Sequence, residues 1–233
     1  PAPMLAAAPG VAAATAEDAQ ATGASEETVG VLQSRAETTQ KAAPFLRLVN
    51  RENANTLTEE DTPASLVRLA DAALPENLTL KREDAAAEET AVAALCKMLA
   101  AAQADGVDGF YLVSAYRSYA QQRAIWEKKL SENPDYGANG APVASMPPGS
   151  SEHQTGLAFD ITAVDNKALR ASFAQTPQGA WLRENCAAFG FILRYPQNKE
   201  AVTGVVYEPW HFRYVGEDMA RYLTDNGLAM EEM

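Results

Sequence analysis

From Phe45 onward the chain carries apolar positions at regular spacing, whereas the residues before it carry almost none that are large. Within Ala85–Ala104, Leu95, Met98, Leu99 and Ala102 recur at helical intervals, which predicts a helix ending near Gly106. Phe110–Tyr116, rich in aromatic and β-branched residues, predicts a strand. Ser118 and Gln121 have the spacing of a capping box opening a helix to about Leu130, so Arg117 falls at a strand-to-helix junction. Leu157–Thr162 alternates, with Leu157, Phe159 and Ile161 on the core face and Asp160 on the other. Thr176-Pro177 opens a helix that Gly190 ends. Phe191–Tyr195 and Val202–Tyr207 read as strands, paired as a hairpin. Glu217–Asn226 reads as a last helix, with acids in its first turn and Gly227 at its stop. Asn50–Leu80, punctuated by Pro63 and Pro75, and Pro134–Gly149 read as loops. Helices mixed with antiparallel-looking strands, without a βαβ repeat, give an α+β domain over 45–233.

Composition adds a boundary and two exclusions. Residues 1–44 are Ala/Thr/Glu/Gln-rich and read as a tether without a core of its own. The chain starts at Pro1, so we expect a longer product from which a signal peptide or lipid anchor has been removed. No run of eighteen apolar residues occurs, which predicts no membrane span. A formal charge of −12 argues against a nucleic-acid partner, since phosphate binding needs a surplus of lysine and arginine. Two cysteines, Cys96 and Cys186, allow one disulfide, but both sit on apolar helix faces where free thiols are common.

The candidate chemistry lies around the only two histidines. Ser151-Glu152-His153-Gln154-Thr155-Gly156-Leu157-Ala158-Phe159-Asp160 sets His153 seven residues before Asp160, with Gly156 free to turn the chain between them. Tyr207-Glu208-Pro209-Trp210-His211 holds the second histidine. Two imidazoles and a carboxylate are the ligands of a catalytic zinc, which leaves Glu208 as a general base. Pro209 bars a helix there, so Glu208 and His211 reach one pocket only through a kink or bulge at Pro209-Trp210. By spacing alone a turn cap at Asp160 and a salt bridge at Glu208 explain these residues equally well.

Ser151-x-His153-x2-Gly156-x-Ala158-x-Asp160, with Glu208-x-Trp210-His211, resembles the paired signature of the VanY-type D-alanyl-D-alanine carboxypeptidases. That zinc peptidase family also includes L,D-carboxypeptidases and VanX-type dipeptidases. Supporting blocks fall in the family's order, among them Ser114–Tyr119 with Gln122, Trp181–Cys186 and Gly190–Pro196, so the likeness runs from about Phe45 to Gly227. The resemblance implies His153, Asp160 and His211 as zinc ligands, Glu208 as base, and Arg117 as an active-site guanidinium stabilising the carbonyl or holding substrate. It implies that Ser151 and Gln122 bind the substrate's terminal carboxylate or amide. It also implies a central antiparallel sheet with helices outside and a zinc cleft on the sheet. The expected substrate is a peptidoglycan stem peptide losing its C-terminal D-alanine, outside the cytoplasmic membrane, with the enzyme a monomer. An L,D-carboxypeptidase and a non-catalytic zinc-containing wall-binding domain are the alternatives.

Overall fold

The structure is a computed structural model, and it describes residues 43–233. The tether expected over 1–44 lies outside the described residues save for its last two. Phe45–Met233 form one compact unit. No helix among the described residues is long and apolar enough to cross a membrane.

The long amphipathic helix α1, Glu89–Ala104, buries Ala91, Val92, Leu95, Met98, Leu99 and Ala102 against the sheet. It begins four residues later than its sequence pattern suggests. Ala86–Glu88 form strand β3, antiparallel to β1, Leu66–Arg68, and the Glu88 side chain accepts from the Ala91 amide at 3.0 Å to cap the helix. Alanine's helical preference is worth well under 1 kcal/mol per residue, less than the paired backbone gains here.

The main sheet has the order β2-β4-β5-β7-β6, with β2 at Leu78–Leu80, β4 at Phe110–Ser114, β5 at Ala158–Ala163, β6 at Phe191–Leu193 and β7 at His211–Tyr214. Four of these strands pair antiparallel, as expected. β2 joins the edge parallel to β4, which α1 permits by carrying the chain back along the sheet. Helix α2, Tyr119–Glu132, starts on the expected capping box. Helix α3, Pro177–Asn185, is capped by Thr176 and tightens into a 3-10 turn before Gly190.

Two expectations need correction. Asn50–Leu80 is not all loop, since it supplies β1 and β2. Val202–Tyr207 is not a strand. Glu200–Thr203 makes one helical turn, α4, which Gly204 closes at φ +69°, and Val205 makes only an isolated bridge to Val143. A left-handed residue there breaks the alternation that the valines suggest. The hairpin partner of β6 is instead β7. The last helix, α5, spans Glu217–Asn226 as read from the sequence.

β5 is buried on both faces. Phe159 and Ile161 pack into the core beneath α1, and Asp160 points to the opposite face, which loops cover. Asp160 stands directly across from His211 on β7 and from Ser114 on β4. Residues directly opposite in neighbouring strands share a face, so this register gathers the polar row of the site.

Helix α3 offers a test of packing against propensity. A Cβ at Gly179 would collide with the Phe173 carbonyl oxygen. Alanine is the better helix former by about 1 kcal/mol, yet Gly179→Ala should lower stability by roughly 1–3 kcal/mol. The urea midpoint measures this, and a higher midpoint would contradict the close approach.

Candidate metal centre and cleft

His153 sits in the 3-10 turn Glu152–Thr155, which Gly156 closes at φ +71°. A side chain at Gly156 would also press on the Glu88 amide at 3.0 Å, so a glycine serves both the turn and the close strand behind it. The His153 Nδ1–H donates to the Ala115 carbonyl at 2.6 Å, which leaves the Nε2 lone pair facing Asp160 Oδ2 at 3.2 Å. The ring of His211 turns the other way. Its Nδ1 lies 3.2 Å from Asp160 Oδ1, and its Nε2 faces Glu152 Oε2 at 3.6 Å. The two imidazoles meet edge to face at 86°, with centroids 4.9 Å apart. One donor atom from each of His153, Asp160 and His211 lies within 4.8 Å of the others, and all three residues are buried.

The electrostatics favour a cation at this point. Burial, reinforced by Arg117, pulls His153 down to about 4, so the ring is neutral. Its lone pair therefore points at a carboxylate oxygen, which is repulsive unless positive charge lies between them. Burial opposes the charge of Asp160, but the charge and hydrogen bonding of His211 hold its carboxyl below the usual range. Burial also works against His211, and the neighbouring carboxylates of Asp160 and Glu152 overcome it, raising the ring to about 9. Asp160 Oδ1 and His211 Nε2 are buried with no hydrogen-bond partner. Ligand atoms 2.0–2.2 Å from a tetrahedral zinc stand roughly 3.4 Å apart, and each imidazole nitrogen here lies 3.2 Å from an oxygen of Asp160. The donor set fits such an ion.

Glu208 stays outside the donor set but beside it, with Oε2 3.6 Å from His211 Nδ1. Pro209 and Trp210 form the centre of a tight turn closed by the His211 amide donating to the Glu208 carbonyl at 3.2 Å. That turn lets residues three apart reach one pocket although β7 starts at His211. Burial lifts the Glu208 carboxyl to about 8, with Asp160 adding to it and His211 and Arg117 opposing it.

Arg117 is partly exposed at the cleft. It donates to Gln122 Oε1 and Ser114 Oγ, each at 3.0 Å, and lies 3.5 Å from Ser151 Oγ and Asp160 Oδ2. Ser151 lines the cleft, a cavity of about 360 Å³ whose wall also includes Ile125, Lys129, Leu169, Tyr195 and Trp210. Gln122 lies away from the cleft wall. It is fully buried, and its amide is spent on Arg117, Ser145 and the Met146 carbonyl, so it stands behind Arg117 rather than against a ligand. Trp210 both packs in the core and walls the cleft. Cys96 and Cys186 are free thiols.

Sequence reasoning passed over Glu152, Arg194, Arg213 and Tyr195. Glu152 is wholly buried beneath His211, where Arg194 and Arg213 hold its carboxyl ionised against the cost of burial. The available signal was an arginine inside each of two apolar strand stretches, Phe191-Ile192-Leu193-Arg194 and His211-Phe212-Arg213. A charge embedded in such a run requires a buried partner.

Three converging donors, an adjacent carboxylate outside them and a guanidinium beside the cleft are the parts that a metal-dependent hydrolase uses. Residues 84–217 match the family model of VanY, D-alanyl-D-alanine carboxypeptidase, and the chain belongs to that family of peptidases. It is 39% identical to the YodJ protein of Bacillus subtilis over 200 residues, 84% of this chain and 69% of that one. It is 36% identical to a D-alanyl-D-alanine carboxypeptidase of Enterococcus faecium over 127 residues, 54% of this chain and only 37% of that relative's length. Among solved structures, it resembles the LdcB LD-carboxypeptidase at TM-score 0.69 and 38% identity, covering 79% of this chain and 83% of that one. A vancomycin resistance D,D-pentapeptidase VanY, solved with Zn(II), aligns at TM-score 0.61 and 32% identity, covering 81% and 98%.

The purified full chain should take up one divalent ion per molecule, and His153→Ala or Asp160→Asn should abolish that stoichiometric uptake. Elemental analysis after dialysis, with circular dichroism confirming the fold, makes the measurement. Undiminished metal in both variants would dismiss the centre.

Proposed function

We propose that this chain is a zinc-dependent carboxypeptidase that removes the C-terminal D-alanine from peptidoglycan stem peptides. The observation that carries the proposal is the free carboxylate of Glu208, held 3.6 Å from a donor atom without joining the three donors. His153 Nε2, Asp160 and His211 Nδ1 would hold the zinc. When bound, zinc supplies Lewis acidity to water and to the scissile carbonyl. The burial that raises Glu208 would be offset by a dication at the three donors, so that its ionised carboxylate takes the proton of the attacking water and returns it to the leaving amine. Arg117, braced by Gln122 and Ser114, offers fixed donors to the developing oxyanion or to the substrate's terminal carboxylate. Ser151, beside Arg117 on the cleft wall, adds a hydroxyl for the same group. Trp210 and Tyr195 shield the reacting groups from bulk water.

A stem peptide lies outside the cytoplasmic membrane, which favours an extracytoplasmic site of action, with residues 1–44 as a tether spanning the distance to the wall. The closer likeness to LdcB, at TM-score 0.69 against 0.61, favours a second reading, trimming of tetrapeptide stems as an L,D-carboxypeptidase.

Glu208→Gln should keep its zinc and lose roughly 10²- to 10⁴-fold in kcat. Released D-alanine and bound zinc are to be measured together, and a zinc-loaded variant as fast as the parent would point to a non-catalytic domain. Parallel assays on defined pentapeptide and tetrapeptide stems separate the two specificities, since only the preferred stem should be cut at the higher kcat/KM.

A further inference from the structure

Behind His211 the chain buries a second group of charges that the proposed chemistry does not use. Glu152 Oε1 accepts from Arg194 Nε at 2.7 Å and lies 3.2 Å from Arg213 Nη1. The remaining two nitrogens of Arg194 grip Glu231 as a fork, Nη1 to Oε2 at 2.8 Å and Nη2 to Oε1 at 2.6 Å. Arg194 and Glu152 have no solvent-exposed side-chain surface. Glu231 lies in the last 3-10 turn, Met230–Glu232, fourteen residues beyond the family match that ends at 217. The turn is docked by buried Met230 and by an ion pair from Glu232 to Lys199 at 2.7 Å.

The geometry points to a role for this turn at the metal centre. With His211 Nδ1 given to zinc, its Nε2 would carry the hydrogen, and the polar atom facing it, 3.6 Å away and likewise without a hydrogen-bond partner, is Glu152 Oε2. Arg194, together with Arg213, holds that carboxylate at Oε1. What fixes Arg194 is the two-point grip of Glu231, because a guanidinium held at Nε alone is free to swing about that bond. The charges also balance, two carboxylates against two guanidiniums. Removing Glu231 leaves an unopposed positive charge behind His211, which disfavours a dication in front of it. We propose that Glu231 is a positioning residue that, through Arg194 and Glu152, sets the orientation of His211, so that the C-terminal turn is a working part of the metal centre. Tyr195, whose ring lies 4.9 Å from the Arg194 guanidinium and 4.8 Å from the His211 ring, packs against both ends of this connection.

The inference rests on the zinc reading above, and the test keeps the two apart. Zinc dissociation constants are to be measured on the full chain by competition with a chelator for the parent, Glu231→Ala, Glu231→Gln and Glu232→Ala. The thermal midpoint of each metal-free protein is taken alongside. Glu232→Ala loosens the same turn through its exposed ion pair but leaves the Arg194 fork intact. Glu231→Ala should weaken zinc binding roughly tenfold, the lower end for an outer-sphere partner, and Glu231→Gln should weaken it less. Glu232→Ala should stay within about twofold of the parent. Glu231→Ala binding zinc as tightly as the parent overturns the inference alone. So does an equal loss in Glu232→Ala, which would make the effect one of turn docking. A parent that binds no zinc overturns the zinc reading as well.

Discussion

The site depends on the register between β5 and β7. Asp160 and His211 are direct cross-strand partners, and one residue of slippage would send each side chain to the wrong face of the sheet. The register is secured by burial of both faces of β5, with Phe159 and Ile161 locked under α1. The donors thus inherit the rigidity of the core, and only His153 and Glu208 need turns to reach them. Each turn is tied to a neighbouring element by the backbone. The Arg117 amide donates to the His153 carbonyl, and the Glu208 amide donates to that of Tyr195.

Around this pair the protein arranges charge in layers. The donors are backed by Glu152, Glu152 by Arg194 and Arg213, and Arg194 by Glu231. Buried ion pairs contribute little net stability and are costly when half-broken. Their retention beneath His211 is better explained by the need to fix one imidazole's tautomer and orientation than by stability.

Much of the architecture was legible because local chemistry announced it. The Ser118–Gln121 capping box, Thr176-Pro177 and Gly227 each satisfy backbone groups within a few residues, so their elements appear where the sequence suggests. The misreadings arise where distant pairing decides. Ala86–Glu88 leave the helix for β1, β2 docks parallel across a helix, and β7 rather than the valine-rich 202–207 stretch completes the hairpin. The convergence of His153, Asp160, Glu208 and His211 was suggested by motif resemblance, since spacing alone left it open. Gln122 and Glu152 show the limit: whether a polar side chain faces the cleft or stands behind another residue depends on neighbours far away in the chain.

The outermost strands of the sheet, β2 and β6, are three residues each. An edge this brief offers too few free amides and carbonyls for another chain to add a strand. β5, six residues long and buried throughout, is kept at the centre, where nothing can pair with it from outside. A sheet built in this order guards against edge-to-edge pairing and leaves the cleft, walled in part by apolar residues such as Ile125, Leu169 and Trp210, clear of its edges.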